Sequence, residues 1–131
     1  MTTVNVMVAD LPDFLAANGV DKDALATTLE DALRAAGLRV LSQEEYADTV
    51  PTVSLQVSAV KQPVGRLFAA DIVLDCLDNV SSMRTAGVFS AIIWSRDVLQ
   101  LVGAVDQARI MDGEKKLIDI FLGDYAQANQ K

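Results

Sequence analysis

Two aspartates on one predicted strand are the residues whose type and spacing most invite a chemical interpretation. Asp71 and Asp75 lie four residues apart in an alternating segment, so their side chains point to the same face of the strand. Four residues at about 3.3 Å each separate the two backbones by about 13 Å, whereas the paired carboxylates of glycosidases lie roughly 5 to 9.5 Å apart. Unless a third group intervenes, this spacing favours a solvated strand face that discourages edge aggregation.

An acidic stretch near the start of the chain offers oxygen ligands of the kind that calcium prefers. Its members are Asp10, Asp13, Asn18, Asp21 and Asp23. The stretch does not fit an EF-hand, because Leu25 and Ala32 fall on positions where that loop needs oxygen ligands. We therefore expect these residues to form turns and to cap a helix at Asp21, and we predict no metal site.

Other common reaction centres lack the residues that they require. The sequence contains no histidine, which excludes Ser-His-Asp and Cys-His catalysis and HExxH zinc sites. Neither a GxxxxGK[ST] loop nor a GxGxxG turn occurs, so the common nucleotide-binding loops are excluded as well. Cys76 lies on the apolar face of its strand and is expected to be a small buried residue, unless folding brings a cation such as Arg84 close to it. We predict no catalytic residue and no cofactor.

The composition limits the number of domains and the kinds of partner. A chain of 131 residues, 51% of them hydrophobic, fits one domain spanning residues 1–131. Its 18 acidic and 11 basic residues give a net charge of −7, which opposes binding to nucleic acids and anionic membranes, since both need clustered Lys and Arg. No apolar run approaches roughly 18 residues, so we expect no membrane insertion.

The first third of the chain predicts a strand, a helix and a second strand. Val4, Val6 and Val8 have the period of a strand, and residues 38–41 read as another. Between them, apolar residues share one helical face over residues 21–36, namely Leu25, Leu29, Ala32, Leu33 and Ala36. Such a unit almost always gives parallel neighbouring strands. Ser42 and Glu45 have capping-box spacing, which predicts one or two helical turns after the second strand.

The rest of the chain predicts an antiparallel meander and a closing helix. Residues 52–61 alternate strictly, and residues 62–65 (QPVG) form a reversal. One face of the long strand that follows is lined by Phe68, Ala70, Ile72, Leu74 and Cys76. Residues 87–95 are apolar on both faces apart from Ser90, which is typical of a central or doubly covered strand. Residues 106–126 carry a helical apolar stripe. The predicted fold is an α+β two-layer sandwich: a mixed sheet of about five strands, with two main helices on one face.

The uncovered face of this sheet provides the candidate site. We assign Phe89, Ala91 and Ile93 to the helix-covered core, so that the alternating residues of the same strand point outward. A homodimer or partner interface is then predicted from Val73, Val88, Ile92 and Trp94. Packing of Trp94 in the core is the alternative for that residue.

Three segments resemble a family of uncharacterised bacterial proteins. They are LRAAGLRVL at residues 33–41, IWS at residues 93–95 and LIDIFLGDY at residues 117–125. The family typically carries an AGLRVLS helix exit, a TWS strand end and a closing VDxFINDYLxxNP helix, often behind an export signal. The sequence as given departs from this pattern, because it begins without such a signal and ends without the Pro, so the resemblance does not decide the location. The resemblance implies a fold and an exported location but no activity, and the strand order is also similar to the N-terminal domains of TolB-type envelope proteins.

Two functions follow as expectations. The first is a non-enzymatic interaction or accessory module that self-associates or docks a protein partner through its sheet. The second is a small-ligand-binding domain with a pocket between sheet and helices. An enzyme working through Asp, Lys or Tyr is the remaining alternative. The location would be periplasmic for a processed mature form and cytoplasmic for a chain that is full length as given.

Overall fold

The fold is a mixed five-stranded sheet with helices packed on one face, as the sequence predicts. In the computed structural model, the described residues are 2–61, 68–81, 84, 87–102 and 107–129. The strands are β1 (Thr3–Val8), β2 (Arg39–Val40), β3 (Thr52–Lys61), β4 (Phe68–Ser81) and β5 (Val88–Val102). The helices are α1 (Asp13–Ala17), α2 (Lys22–Ala35) and α3 (Gln107–Ala128). The sheet order is β2-β1-β3-β4-β5.

The parallel half of the sheet is built by β1, α2 and β2. The Asp21 carboxylate accepts a hydrogen bond from the Asp23 N–H at 2.9 Å, which confirms the predicted helix cap. Gly37 follows the helix with a φ of 94°, a conformation that other residues rarely adopt. β1 pairs in parallel with both β2 and β3. The five-residue α1 was not predicted; it begins after Pro12, whose carbonyl accepts from Leu15.

The prediction of a short helix after the second strand is wrong. The reciprocal bonds of a capping box do form, since the Ser42 N–H donates to Glu45 at 3.0 Å and the Glu45 N–H donates to Ser42 Oγ at 3.3 Å. Only turns follow them. The reason is Asn5, 2% exposed, whose side chain donates to the Ala47 carbonyl at 2.8 Å and accepts from the Ala47 N–H at 3.2 Å. Both backbone groups of Ala47 are thereby engaged by a side chain instead of by a helix.

The antiparallel half confirms the predicted hairpin and the face that it buries. β3 pairs with β4 from Thr52 opposite Leu77 to Lys61 opposite Phe68. The buried face carries most of the predicted apolar residues of both strands, namely Val53, Leu55, Val57, Ala70, Ile72, Leu74 and Cys76. Ala59 is half-buried, and the predicted side chain of Phe68 lies outside the described part of the structure. The predicted reversal at residues 62–65 lies outside the described residues.

The prediction that residues 87–95 form a central or doubly covered strand is wrong. β5 lies at the edge of the sheet and continues to Val102, far beyond the predicted end. A meander places its last strand outermost, because each strand pairs with the one before it. Apolar side chains of this strand are consequently exposed, as at Val88 (72%) and Ile92 (59%).

One hydrophobic core joins the sheet to α2 and α3. The two helices contact each other, and α3 lies across β4 and β5. α3 comes closest to β4 and β5 at Gly113, because a Cβ there would collide with the Ile72 side chain and lie 2.8 Å from the Gln100 amide nitrogen. No helix packs on the other face of the sheet among the described residues. No helix of the described chain is long and apolar enough to cross a membrane.

Candidate functional site

A β-bulge in β5 places Trp94 on a different face from the one predicted. Cys76 pairs with Trp94 but Leu77 pairs with Ile92, so Ile93 is an additional residue that faces no partner on β4. The alternation that places Val88 and Ile92 on the open face is interrupted there. Trp94 shares the face of buried Cys76, and its assignment to the open face beside Val73, Val88 and Ile92 is wrong. Periodicity could not have found this, because a bulge shifts the alternation by one residue.

Trp94 instead joins the edge strand to α3. Its ring meets Phe121 edge to face, with 5.0 Å between centroids and an interplanar angle of 73°. Its Nε1–H donates to Asp124 Oδ2 at 2.9 Å. Phe121 stacks on Tyr125 with centroids 6.3 Å apart, and the Tyr125 hydroxyl donates to Thr2 Oγ1 at 2.7 Å. Residues four apart on α3 thus form one aromatic row against the sheet.

A cleft of about 370 Å³ opens beside this row, between the last turns of α3 and the sheet. Its walls are mostly apolar and combine residues of β1, β4, β5 and α3. Its lining includes Val4, Leu38, Cys76, Ile93, Trp94 and Phe121. This volume falls within the range of small-molecule sites, which are concave and apolar with a few polar groups. The sequence predicts a pocket between sheet and helices only as an alternative and does not indicate which residues line it.

Cys76 is a buried wall of this cleft and not an activated nucleophile. Burial, followed by the nearby Asp78 carboxylate, raises the pKa of the Cys76 thiol to about 11. The thiol is therefore neutral at physiological pH, which agrees with its predicted structural role.

The open face carries the other three predicted interface residues. Val73 lies opposite Asp97, while Val88 and Ile92 lie opposite Ser81 and Leu77. Leu99, 68% exposed, belongs to the same face, since it lies opposite Asp71. Leu99 is absent from the predicted interface because the predicted strand ends at Ser95, although the apolar run VLQLV at residues 98–102 is a signal for its continuation.

The two predicted aspartates acquire a third neighbour on this open face. Asp97 of β5 lies opposite Val73, between the levels of Asp71 and Asp75. Burial raises the pKa of Asp71 first, and a hydrogen bond with Asp97 and repulsion from its charge raise it further. Among the described residues no group of three His, Cys, Asp or Glu side chains could hold a metal ion. Asp71 and Asp97 therefore form a hydrogen-bonded pair of carboxyl groups on the open face.

Glu114 is a buried carboxylate that was not predicted from the sequence. It is 0% exposed, and neither side-chain oxygen has a hydrogen-bond partner among the described residues. Burial raises its pKa to about 8, and the adjacent Lys115 opposes this only partly. The signal was available, because Glu114 falls within the apolar helical stripe that includes Ile110 and Leu117.

In comparisons with known proteins, no protein-family model matches the chain and no curated protein matches it.

Proposed function

We propose that this domain is a non-enzymatic interaction module that pairs with a second copy of itself through the outer edge of β5. The observation that carries the proposal is the position of this strand. One side of β5 pairs with β4, and no described strand pairs with the other side. Its 15 residues at about 3.3 Å each form an edge of about 50 Å. An unprotected edge of this length is a template for another strand.

Side chains along β5 support the same proposal. Val88, Ile92 and Leu99 expose 72%, 59% and 68% of their surfaces on the open face. Arg96 and Asp97 are the only charged residues in the strand. Natural edges are usually protected by short length, prolines, several charges or β-bulges. β5 carries one bulge, at Ile93, and two adjacent charges. Residues 88–92 and 98–102 on either side have none of these protections, so a partner strand would cover apolar surface as well as backbone groups there.

A second copy of this chain can pair with the free backbone groups of the β5 edge, so no other kind of partner is needed. Two β5 strands that meet antiparallel about a twofold axis present identical backbone groups to each other, and the two sheets become one. The net charge of −7 on each copy opposes the encounter at low ionic strength. Added salt screens this repulsion, so pairing should become stronger in salt.

Sedimentation equilibrium over a range of protein and salt concentrations tests the proposal. The wild type should populate a dimer that increases with salt. Ile92→Lys should weaken the dimer at least tenfold, because it places a charge beside the paired edge. Val60→Lys is the matched control: Val60 is 71% exposed on β3, two strands from the edge. A monomeric wild type at every concentration would refute the proposal. An equal effect of both variants would show face-to-face stacking instead of edge pairing.

A further inference from the structure

Three aromatic rings and one carboxylate meet at the cleft beneath α3. Trp94, Phe121 and Tyr125 supply the ring faces and edges. Asp124 lies next to Tyr125 on the same helix and also lines the cleft. Its carboxylate offers about four acceptor positions, and the Trp94 N–H uses one of them. The carboxylate is thus held in place by one bond while it keeps capacity for another donor.

The described residues that line the cleft carry charge of one sign only. Among the described residues that line it, Asp124 is the only charged one and no Lys or Arg is present. Arg96 lies 6.0 Å from the Trp94 ring centroid but is not part of the lining. The Cys76 thiol is neutral, because burial raises its pKa. A net charge of −7 adds a negative background. The cleft therefore favours cations and hydrogen-bond donors over anions.

We propose that this cleft binds a small hydrophobic amine. The aromatic or branched apolar body of the amine lies against Trp94 and Phe121, and its ammonium group lies at Asp124. Aromatic faces attract organic cations as well as apolar groups, and a carboxylate supplies the charged partner. A volume of about 370 Å³ accommodates a molecule built on a single ring. The proposal is independent of edge pairing, because the cleft lies on the helix-covered face.

Three compounds of matched shape separate the body of the ligand from its charge: 2-phenylethylamine, 2-phenylethanol and phenylacetate. Calorimetric titration gives each affinity, and the emission of the sole tryptophan, Trp94, reports occupancy of the cleft. The amine should bind at least about tenfold more tightly than the alcohol, a difference of about 1.4 kcal/mol, and phenylacetate should bind least. Equal affinities, a preference for phenylacetate, or no binding of the amine would overturn the proposal.

Two variants test the assigned positions. Asp124→Asn keeps an acceptor for the Trp94 N–H but removes the charge, so the amine should lose its advantage over the alcohol. Ala128→Phe should obstruct the cleft, since Ala128 lines it and is exposed. Ala126→Phe is the matched control, because Ala126 is exposed on the same helix and does not line the cleft. An Asp124→Asn variant that retains the full preference for the amine, or an Ala128→Phe variant that binds like Ala126→Phe, would overturn the assignment.

Discussion

The indole N–H of Trp94 donates to the Asp124 carboxylate at 2.9 Å, which connects the edge strand β5 to the last turns of α3. The same ring packs edge to face on Phe121. A bulge at Ile93 turns the indole toward the helix while Ile92 remains on the open face. Two neighbouring segments of one strand therefore have different roles: Trp94 contributes to the core and a cleft, and Val88 and Ile92 are exposed.

Replacing Trp94 by Ala should destabilise the fold and leave association almost unchanged. The substitution removes the contact with Phe121 and leaves Asp124 without its donor, so we expect a loss of about 2 to 4 kcal/mol in the free energy of unfolding. Denaturant unfolding gives this loss, and sedimentation of the same variant gives its association. Ile92→Ala is the control, which should change stability by less than about 1 kcal/mol. Weaker association with unchanged stability in Trp94→Ala would restore the interface role predicted for this residue.

The two glycines of α3 should respond in opposite directions to replacement by Ala. A Cβ at Gly123 would meet no atom of the surrounding structure within 4 Å, so Gly123→Ala should stabilise the helix by about 0.5 to 1 kcal/mol. Gly113→Ala should be destabilising, because its Cβ would collide with Ile72 in the core, where overpacking costs about 1 to 3 kcal/mol. Thermal unfolding of both variants checks the signs. Stabilisation by Gly113→Ala would show that α3 can move away from the sheet at little cost.

The regular elements could be predicted because their sequence periods are local. Alternation over residues 52–61 and the helical stripe of α2 each report a buried face directly, and the structure buries the large predicted residues of both. Ala36 is an exception, because it follows the last residue of α2 and is exposed. Asp21 was identifiable as a cap because its role depends on the next two residues. These features need no knowledge of distant contacts.

The candidate site could not be predicted in full, because it depends on contacts between distant segments. Trp94 and Asp124 are thirty residues apart, and the bulge that brings them together has no mark in the sequence. Asn5 overrides a local helix signal at Ser42 and Glu45 through bonds to Ala47, forty-two residues away. β5 lies at the edge because of the order in which the strands pair. Apolar composition alone predicted a central strand instead.

Asn5 should be among the most sensitive polar positions of the chain. Asn5→Ala removes the side-chain partners of the partly buried N–H and C=O groups of Ala47, at a cost of about 1 to 3 kcal/mol. Asn18→Ala is a comparison of the same chemistry at an exposed position, where one bond to Phe14 is lost, and it should cost less than about 1 kcal/mol. Equal effects in chemical denaturation would mean that the turns between β2 and β3 do not depend on Asn5.

Cys76 should react slowly with thiol reagents at pH 8. Burial raises the pKa of its thiol from 9.0 to about 11. At a fixed pH below both values, this higher pKa lowers the thiolate fraction about 100-fold. The comparison is Ser58→Cys in a Cys76→Ala background, because Ser58 is exposed on β3. Alkylation rates followed by mass spectrometry should differ by at least that factor. Comparable rates would show that the cleft wall opens readily to solvent.

Glu114 should make the protein less stable as the pH rises from about 4.5 to about 8. Burial raises the pKa of this carboxyl from 4.5 to about 8 in the folded state, so within this window the folded protein keeps a proton that the unfolded chain has lost. The stabilisation is complete below the ordinary pKa and is lost as the pH rises through the pKa of the folded state, with a slope of up to about 1.4 kcal/mol per pH unit.

Glu114→Gln removes the titration and should remove this part of the slope. The free energy of unfolding of the variant should therefore increase relative to that of the wild type as the pH rises towards 8. Glu44→Gln, at an exposed site, should follow the wild type, and urea unfolding at several pH values compares all three. If Glu114→Gln and the wild type have the same slope, the buried carboxyl is not the group that couples folding to pH.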